Sequence, residues 1–417
     1  MVTTPPRVRN GSVQTWVLLL LPVLIGVAAI TVDGGRIIEQ RRNDQVIADI
    51  AALAGAADLY AHYSANQGMD PSGTARTAAV QSAVGNGISA AAVTVNIPPT
   101  TGAYANQAGY VEVVISTTLS TSFGSVFTQN SIATSGRGVA RGQPMQIGMI
   151  LLRSSGADAF LNNATAFSLL NKPIIVNSSD PAAFHQASIG AVAASHIDVT
   201  GGFTNPGGAV YLMTPVRTGI PAVPDPLAYL PAPDSSGATV RSTSQMVINS
   251  LLPTTLQPGV YKGGISIRGL SAVTMNAGVY IMLGGGFQVQ DSATLVGTEV
   301  MVYNTYDATH AAGSIAVTTT GKVVMEAPLS GTYQGINFFQ DRSQATSIQM
   351  SGFGLAAITG VVYASAAPVQ LTGQAVVGVD ILGGAYVVDS ATLSGAGAVS
   401  LNLGTNPPRI PDVRLVE

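Results

Sequence analysis

Residues 278–297 read GVYIMLGGGFQVQDSATLVG. Short runs of β-branched and aromatic residues alternate with glycines and an Asp-Ser turn, which is the cadence of strands and tight corners. Pieces of this stretch recur. Gly-Val-Tyr stands at 259–261 and again at 278–280. Asp-Ser-Ala-Thr-Leu stands at 291–295 and at 389–393, each copy followed one residue later by glycine. Ile348-Gln349-Met350-Ser351-Gly352 is echoed 21 residues on by Val369-Gln370-Leu371-Thr372-Gly373. A unit of about 20 residues cannot bury its own apolar face, so stacked neighbours must bury it, and the result is a solenoid. β-Branched residues favour β-coils over leucine-rich ones, and Asn or Gly at corners tolerates left-handed conformations. The expectation is a right-handed β-helix-like solenoid over residues 145–417. A β-sandwich would share the strand spacing; the repeats weigh against it.

Within this body, residues 220–237 read IPAVPDPLAYLPAPDSSG. Pro221, Pro224, Pro226, Pro231 and Pro233 remove too many amide donors for a central strand. The segment reads as an ordered loop, and the strand–turn cadence on both sides makes it an excursion within one solenoid.

Toward the N-terminus, Val13 to Val32 reads VQTWVLLLLPVLIGVAAITV, with polar side chains only near its ends. Twenty residues at about 1.5 Å each cover roughly 30 Å, the thickness of a bilayer's hydrocarbon core. Backbone groups in lipid must be satisfied internally, so the segment is expected to be helical, kinked at Pro22, with Trp16 as an interfacial anchor. A cleaved signal peptide would have an apolar run of about 7–15 residues, shorter than this one. Residues 1–12 form a short basic tail, expected on the cytoplasmic side. Arg7 and Arg9 before the span and Arg36, Arg41 and Arg42 after it give no bias by themselves. Long domains cross largely regardless of charge, and the Lys-poor body reads as exported.

Residues 33–144 read as a helical stem with a small β region. Ile37, Ile38, Val46, Ile50, Leu53 and Ala57 recur at roughly helical spacing, which continues the span as a helix to near Gly68 or Asp70-Pro71. A second helix is expected over about 74–84. Strand signals follow at 91–97, 110–120 and 131–142, giving a small α+β module.

Positions 11–59 carry a family resemblance: GSVQTWVLLLLPVLIGVAAITVDGGRIIEQRRNDQVIADIAALAGAADL resembles the TadE/TadG-like proteins of bacterial Flp (tight-adherence) pilus assembly. The matching residues include Asp33, Gly35, Arg36, Asp49, Ala54 and Gly55. VEVVISTTLSTSFGSVF and GRGVARG further on look like the family's strand pair, so the resemblance covers roughly residues 7–142. Prepilin-type members carry a Glu five residues after a processed glycine. Gly11 would be that glycine, but Trp16 occupies the Glu position. Cleavage between Gly11 and Ser12 is therefore not expected, and the unprocessed TadG type fits better. The resemblance implies a role near pilus assembly or surface attachment.

Composition narrows the chemistry. Charged residues are 9% of the chain, against about 25% in an ordinary soluble protein, and the net charge is −3. No basic stripe suits nucleic acid. No cysteine is present, so disulfides and thiol chemistry are excluded. His62, His185, His196 and His310 lie far apart with no zinc-binding spacing, and Gly284-Gly285-Gly286 precedes a β run without a phosphate-loop Lys. Asp291 and Asp389 read as turn caps, and Phe338-Phe339-Gln340-Asp341-Arg342 as a corner staple. No cofactor is expected. The preferred reading is a non-catalytic, membrane-anchored envelope protein whose partners are the cytoplasmic membrane and pilus-assembly components or envelope glycan. The alternative is a surface-tethered polysaccharide lyase or glycosidase on a β-helix. That chemistry needs paired carboxylates, or calcium-binding Asp clusters with a basic residue.

Overall fold

A computed structural model describes residues 12–127, 130–144, 148–165, 167–168, 172–211, 213–352, 356–373, 380–396, 399–401 and 411–417. The chain forms two compact units. One holds residues 1–144 together with 411–417, and the other holds 145–410.

In the first unit, helix α1 (Ser12–Ala28) passes through a π-helical turn at Ala29–Asp33 into helix α2 (Gly34–Ala61). A short turn of helix, α3 (Tyr63–Asn66), and helix α4 (Thr74–Gly85) follow. The stem helix thus stops several residues before the expected Gly68. Strands β1 (Val93–Asn96), β2 (Tyr110–Ser120) and β3 (Ser131–Pro144) form an antiparallel sheet. A fourth strand completes it, and this strand is the C-terminus of the chain: Pro411–Leu415 pairs antiparallel with β3. The solenoid therefore does not run to residue 417 as the sequence suggested. Its last seven residues belong to the N-terminal unit.

Helix α2 lies unusually close to β3, and the GRGVARG stretch explains why. A Cβ on Gly136 would sit 2.3 Å from the Asp44 carbonyl carbon, one on Gly138 2.9 Å from the Ala48 backbone, and one on Gly142 2.1 Å from the Ala56 oxygen. Four residues of helix advance about 6 Å, and two residues of strand about 6.7 Å. The two ladders stay in step, and every facing position must be nearly side-chain-free. Ala140, which shares that alternation, is fully buried.

The second unit is a parallel β-solenoid of about ten turns. Strands fall into a 19-stranded sheet that wraps two faces and a 9-stranded sheet on the third. The IQMSG and VQLTG segments sit in register at 21 residues, Ile348 opposite Val369 through Gly352 opposite Gly373. The other repeats are not equivalent positions. Gly259 pairs with Tyr280, so the two Gly-Val-Tyr copies are displaced by two residues. The two Asp-Ser-Ala-Thr-Leu copies lie on different sheets. Inside the coils, Ile265, Phe287 and Ile315 stack at successive levels, and further along Phe160, Phe184 and Phe203 do the same. The ring centroids of those three phenylalanines are 4.8 and 4.6 Å apart.

The axial order of the coils differs from their chain order. The first coil, entered at Met149–Leu151, stacks on the last one, Ala385–Gly395. From there the chain winds outward through Ile174–Val176 and Ile197–Val199 to Val216–Thr218 at one end. It then restarts at the opposite end with Val240–Ser242 and winds back. The Pro-rich segment is the strap between the two ends. Ten strand steps of about 4.8 Å make the gap ~48 Å. About twenty residues of extended, Pro-rich chain at ~3.1 Å each cover that with slack and need no ladder partner. Leu227 and Leu230 of the strap are buried against Ile150, Val260, Met301 and Phe339 on the outside of the sheet. This covering explains why strands such as Val300–Thr305 are apolar on both faces.

Candidate functional site

The first candidate site is the apolar helix and its exit. Val13, Trp16 and Val32 are exposed, Val13 by 72%, and so are Val17 to Leu21, Val23, Leu24, Val27 and Ile30 between them. The helix is long and apolar enough, by length and composition, to cross a membrane. Pro22 lies inside α1. The break in helical register comes later, at Ala29–Asp33, where Thr31 Oγ1 donates to the Val27 carbonyl at 2.9 Å. Of the two positions considered for processing, Gly11 lies outside the described residues and Ser12 begins α1.

Asp33, the first residue past the apolar run, is buried. Three successive amides of the β2–β3 connection donate to its carboxylate: Ser122 at 2.9 Å, Phe123 at 3.0 Å and Gly124 at 2.8 Å. Consecutive N–H groups converging this way form an anion-binding nest. The Ser122 and Gly124 amides, then that of Phe123 and the nearby Arg36, hold the carboxyl below its ordinary range against the opposing effect of burial. Arg36 Nη1 also donates to Ser122 Oγ at 2.9 Å. The remaining motif residues divide by role. Asp49 Oδ1 accepts from Gln45 Nε2 at 2.8 Å. Gly55 packs where a Cβ would lie 3.0–3.1 Å from Val111, Ala75 and Ala79. Ala54, on the same helix, is half-buried. Gly35 faces open space.

Two buried carboxylates in this unit escaped the reading of the sequence. Asp44 accepts from Gln40 Nε2 at 2.8 Å, Thr117 Oγ1 at 2.8 Å and Thr134 Oγ1 at 2.6 Å. Its only sequence signal is its place on the Ala48–Ala52–Ala56 stripe. Burial by itself would raise the Glu112 carboxyl. Donors from Thr100, Asn96, Thr101 and Arg137 overturn that and hold it at about 2. Arg137 bridges Glu112, at 2.7 Å, to Glu417, so it clips the C-terminal strand onto the sheet.

On the solenoid, an outer cavity of about 410 Å³ is lined by Asp291, Thr318, Thr320, Gln349, Gln370 and Thr372, among others. Gln349 and Gln370 are register partners on adjacent coils. Several of the solenoid's carboxylates have structural partners. Asp291 accepts from the Gly269 amide at 2.8 Å, Asp389 pairs with Arg153 at 2.6 Å, and Asp198 with Arg217 at 2.6 Å. Each histidine stands beside a different aspartate: His62 by Asp58, His185 by Asp158, His196 by Asp198 and His310 by Asp307. Among the described residues, no three His, Asp or Glu side chains gather in a group that could hold a metal ion.

The Phe338–Arg342 cluster is a staple for the strap. Arg342 donates to the carbonyls of Leu227 at 3.0 Å and Leu230 at 2.8 Å, and to Tyr363 Oη at 2.7 Å. Its guanidinium lies over the Phe339 and Tyr363 rings at 5.3 and 5.2 Å. Tyr363 Oη donates in turn to Asp225 on the strap at 2.7 Å. Gly284, Gly285 and Gly286 all have positive φ, and a Cβ on Gly285 would lie 1.9 Å from the Gly263 oxygen. They form a coil corner packed between neighbouring coils.

Comparison with known proteins places the likeness at the N-terminus. Residues 11–58 match the family model described as putative Flp pilus-assembly TadE/G-like. The match includes Asp33, Gly35, Arg36, Asp49, Ala54 and Gly55. No curated protein and no solved structure matches the chain.

Proposed function

We propose that the protein is a single-pass, membrane-anchored component of a bacterial envelope, with its N-terminus in the cytoplasm and both folded units beyond the membrane. It serves pilus assembly or surface attachment without catalysing a reaction. The observation that carries this reading is the helix itself. Val13, Trp16 to Leu21, Val23, Leu24, Val27, Ile30 and Val32 are exposed, an apolar surface suited to a lipid environment. The helix's continuation buries one face in the small α+β unit. The TadE/G-like match over 11–58 connects that anchor to Flp pili.

The solenoid supplies a contact surface. Its amide- and hydroxyl-lined cavity suits hydrogen bonding to envelope glycan or to a pilus component. The non-catalytic reading is supported by the way Asp198, Asp291 and Asp389 are each engaged in holding coils together. Protease digestion of intact and of permeabilised cells tests anchoring and sidedness together. Digestion of the body from outside, with a short membrane-protected N-terminal fragment, is the expected result. Recovery of the intact chain from the cytosol would refute it. Release of unsaturated or reducing products from acidic polysaccharides by the purified protein would replace the attachment role with the enzymatic one.

A further inference from the structure

We propose that the β2–β3 connection at Thr121–Ser125 is a second membrane contact, with Phe123 seated in the lipid interface and held there by Asp33. The inference rests on the membrane-anchored reading. If Val13–Val32 fills the hydrocarbon core, Asp33 marks the boundary where headgroups begin, a zone about 5–7 Å thick on each side. The three amide bonds of 2.8–3.0 Å to Asp33 fix the connection at that depth, so it cannot swing away from the bilayer while they persist.

What the connection presents there is chemically suited to the interface. Phe123 is 37% exposed and stands among small polar residues, Thr121, Ser122, Gly124 and Ser125. A lone exposed aromatic elsewhere would need no explanation. At this depth it meets the boundary between headgroups and acyl chains, where apolar side chains of peripheral segments insert. Arg36, about 4.5 Å further along the helix axis, lies at headgroup level, and Arg41 and Arg42 follow about one and a half turns on. The span and the connection together make a two-point contact, which fixes the rotation of the α+β unit about the helix axis. A single helix would leave that rotation free.

The chain has one tryptophan, Trp16, which makes the test direct. The full-length protein carrying Trp16→Phe and Phe123→Trp is reconstituted into vesicles of phosphatidylcholine and phosphatidylglycerol. A matched set carries bromine near the top of the acyl chains. The reporter at position 123 should lose at least half its fluorescence in the brominated vesicles and resist aqueous iodide. The unmodified protein, read through Trp16, reports the anchor independently. Quenching at Trp16 with an unquenched, iodide-accessible reporter at 123 would overturn the second contact and leave the anchor standing. Absence of lipid quenching at both positions would overturn the anchored reading itself. Adding Asp33→Ala should reduce the reporter's lipid quenching at least twofold while leaving the Trp16 signal of Asp33→Ala alone unchanged. Unchanged reporter quenching would refute the role given to Asp33.

Discussion

Replacing Gly142 by alanine should loosen the stem helix from its sheet, and the geometry sets the size of the effect. The added Cβ would lie 2.1 Å from the Ala56 oxygen and 2.8 Å from its carbonyl carbon. Both obstacles are backbone, so no rotamer change relieves them. Restoring ordinary contact requires α2 to retreat by more than about 1 Å, and a gap of 0.5–1 Å forfeits a quarter to a half of each dispersion contact. Overpacking of a close-packed site costs about 1–3 kcal/mol, and a backbone-on-backbone clash belongs at the upper end. A loss of ~3 kcal/mol corresponds to roughly a 100-fold rise in the opening equilibrium. The readout is native-state hydrogen exchange of the Ala48–Ala56 amides in the detergent-solubilised full chain, where they should exchange about 100-fold faster. Gly35→Ala is the control. That motif glycine faces open space in a helix, so the same substitution should be neutral or should stabilise by up to ~1 kcal/mol. Exchange within about threefold of the unmodified protein in Gly142→Ala would show that close approach is not why β3 is glycine-rich.

Three further outcomes follow from the same geometry. The Glu112 carboxyl, held at about 2 against an ordinary value of 4.5, contributes stability that is fully present above about pH 4.5 and lost as pH falls toward 2. Its size is on the order of 3 kcal/mol. Glu112→Gln should therefore lower stability at pH 7 and flatten the acid limb of a denaturation series; an unchanged limb would contradict the assignment. Arg342→Leu removes the donor for two strap carbonyls, at about 1–3 kcal/mol each. Limited proteolysis within 220–237 should speed up while the coils stay protected, and equal cleavage rates would show that the strap is held by other contacts. Leu20→Arg places a cation near the bilayer centre at ~3 kcal/mol, so the membrane-associated fraction should fall on carbonate extraction. Full retention in the membrane would count against Val13–Val32 as the span.

Much of this could be read in the sequence because it is local. The 110–120 strand, the helix expected over about 74–84 and the apolar run depend on periodicity and length, and β2 and α4 lie within a residue of where the pattern put them. The 21-residue echo at 348–352 and 369–373 was a true register because both segments occupy successive levels of one stack. The Asp-Ser-Ala-Thr-Leu and Gly-Val-Tyr copies misled because five- and three-residue matches in a chain rich in Ser, Thr, Val and Gly arise without structural equivalence. Arg342 was legible as a staple but not as to what it fastens, since Leu227 and Leu230 are over a hundred residues away.

The sequence by itself determined that a lipid-length apolar helix precedes a small α+β unit and a stack of β coils. Those properties follow from composition and spacing within single elements. Only the tertiary structure decided that the first coil stacks on the last, that a Pro-rich strap joins the solenoid's two ends, and that residues 411–417 return to pair with β3. Parallel coils present nearly identical edges, so the one junction that departs from chain order, first coil on last, is chosen by long-range packing. The solenoid is in consequence an insertion between two adjacent strands whose ends, Pro144 and Pro411, face each other in register. The nest around Asp33 is of the same kind, because an acceptor at residue 33 meets its donors at 122–124 only once the sheet has folded against the stem.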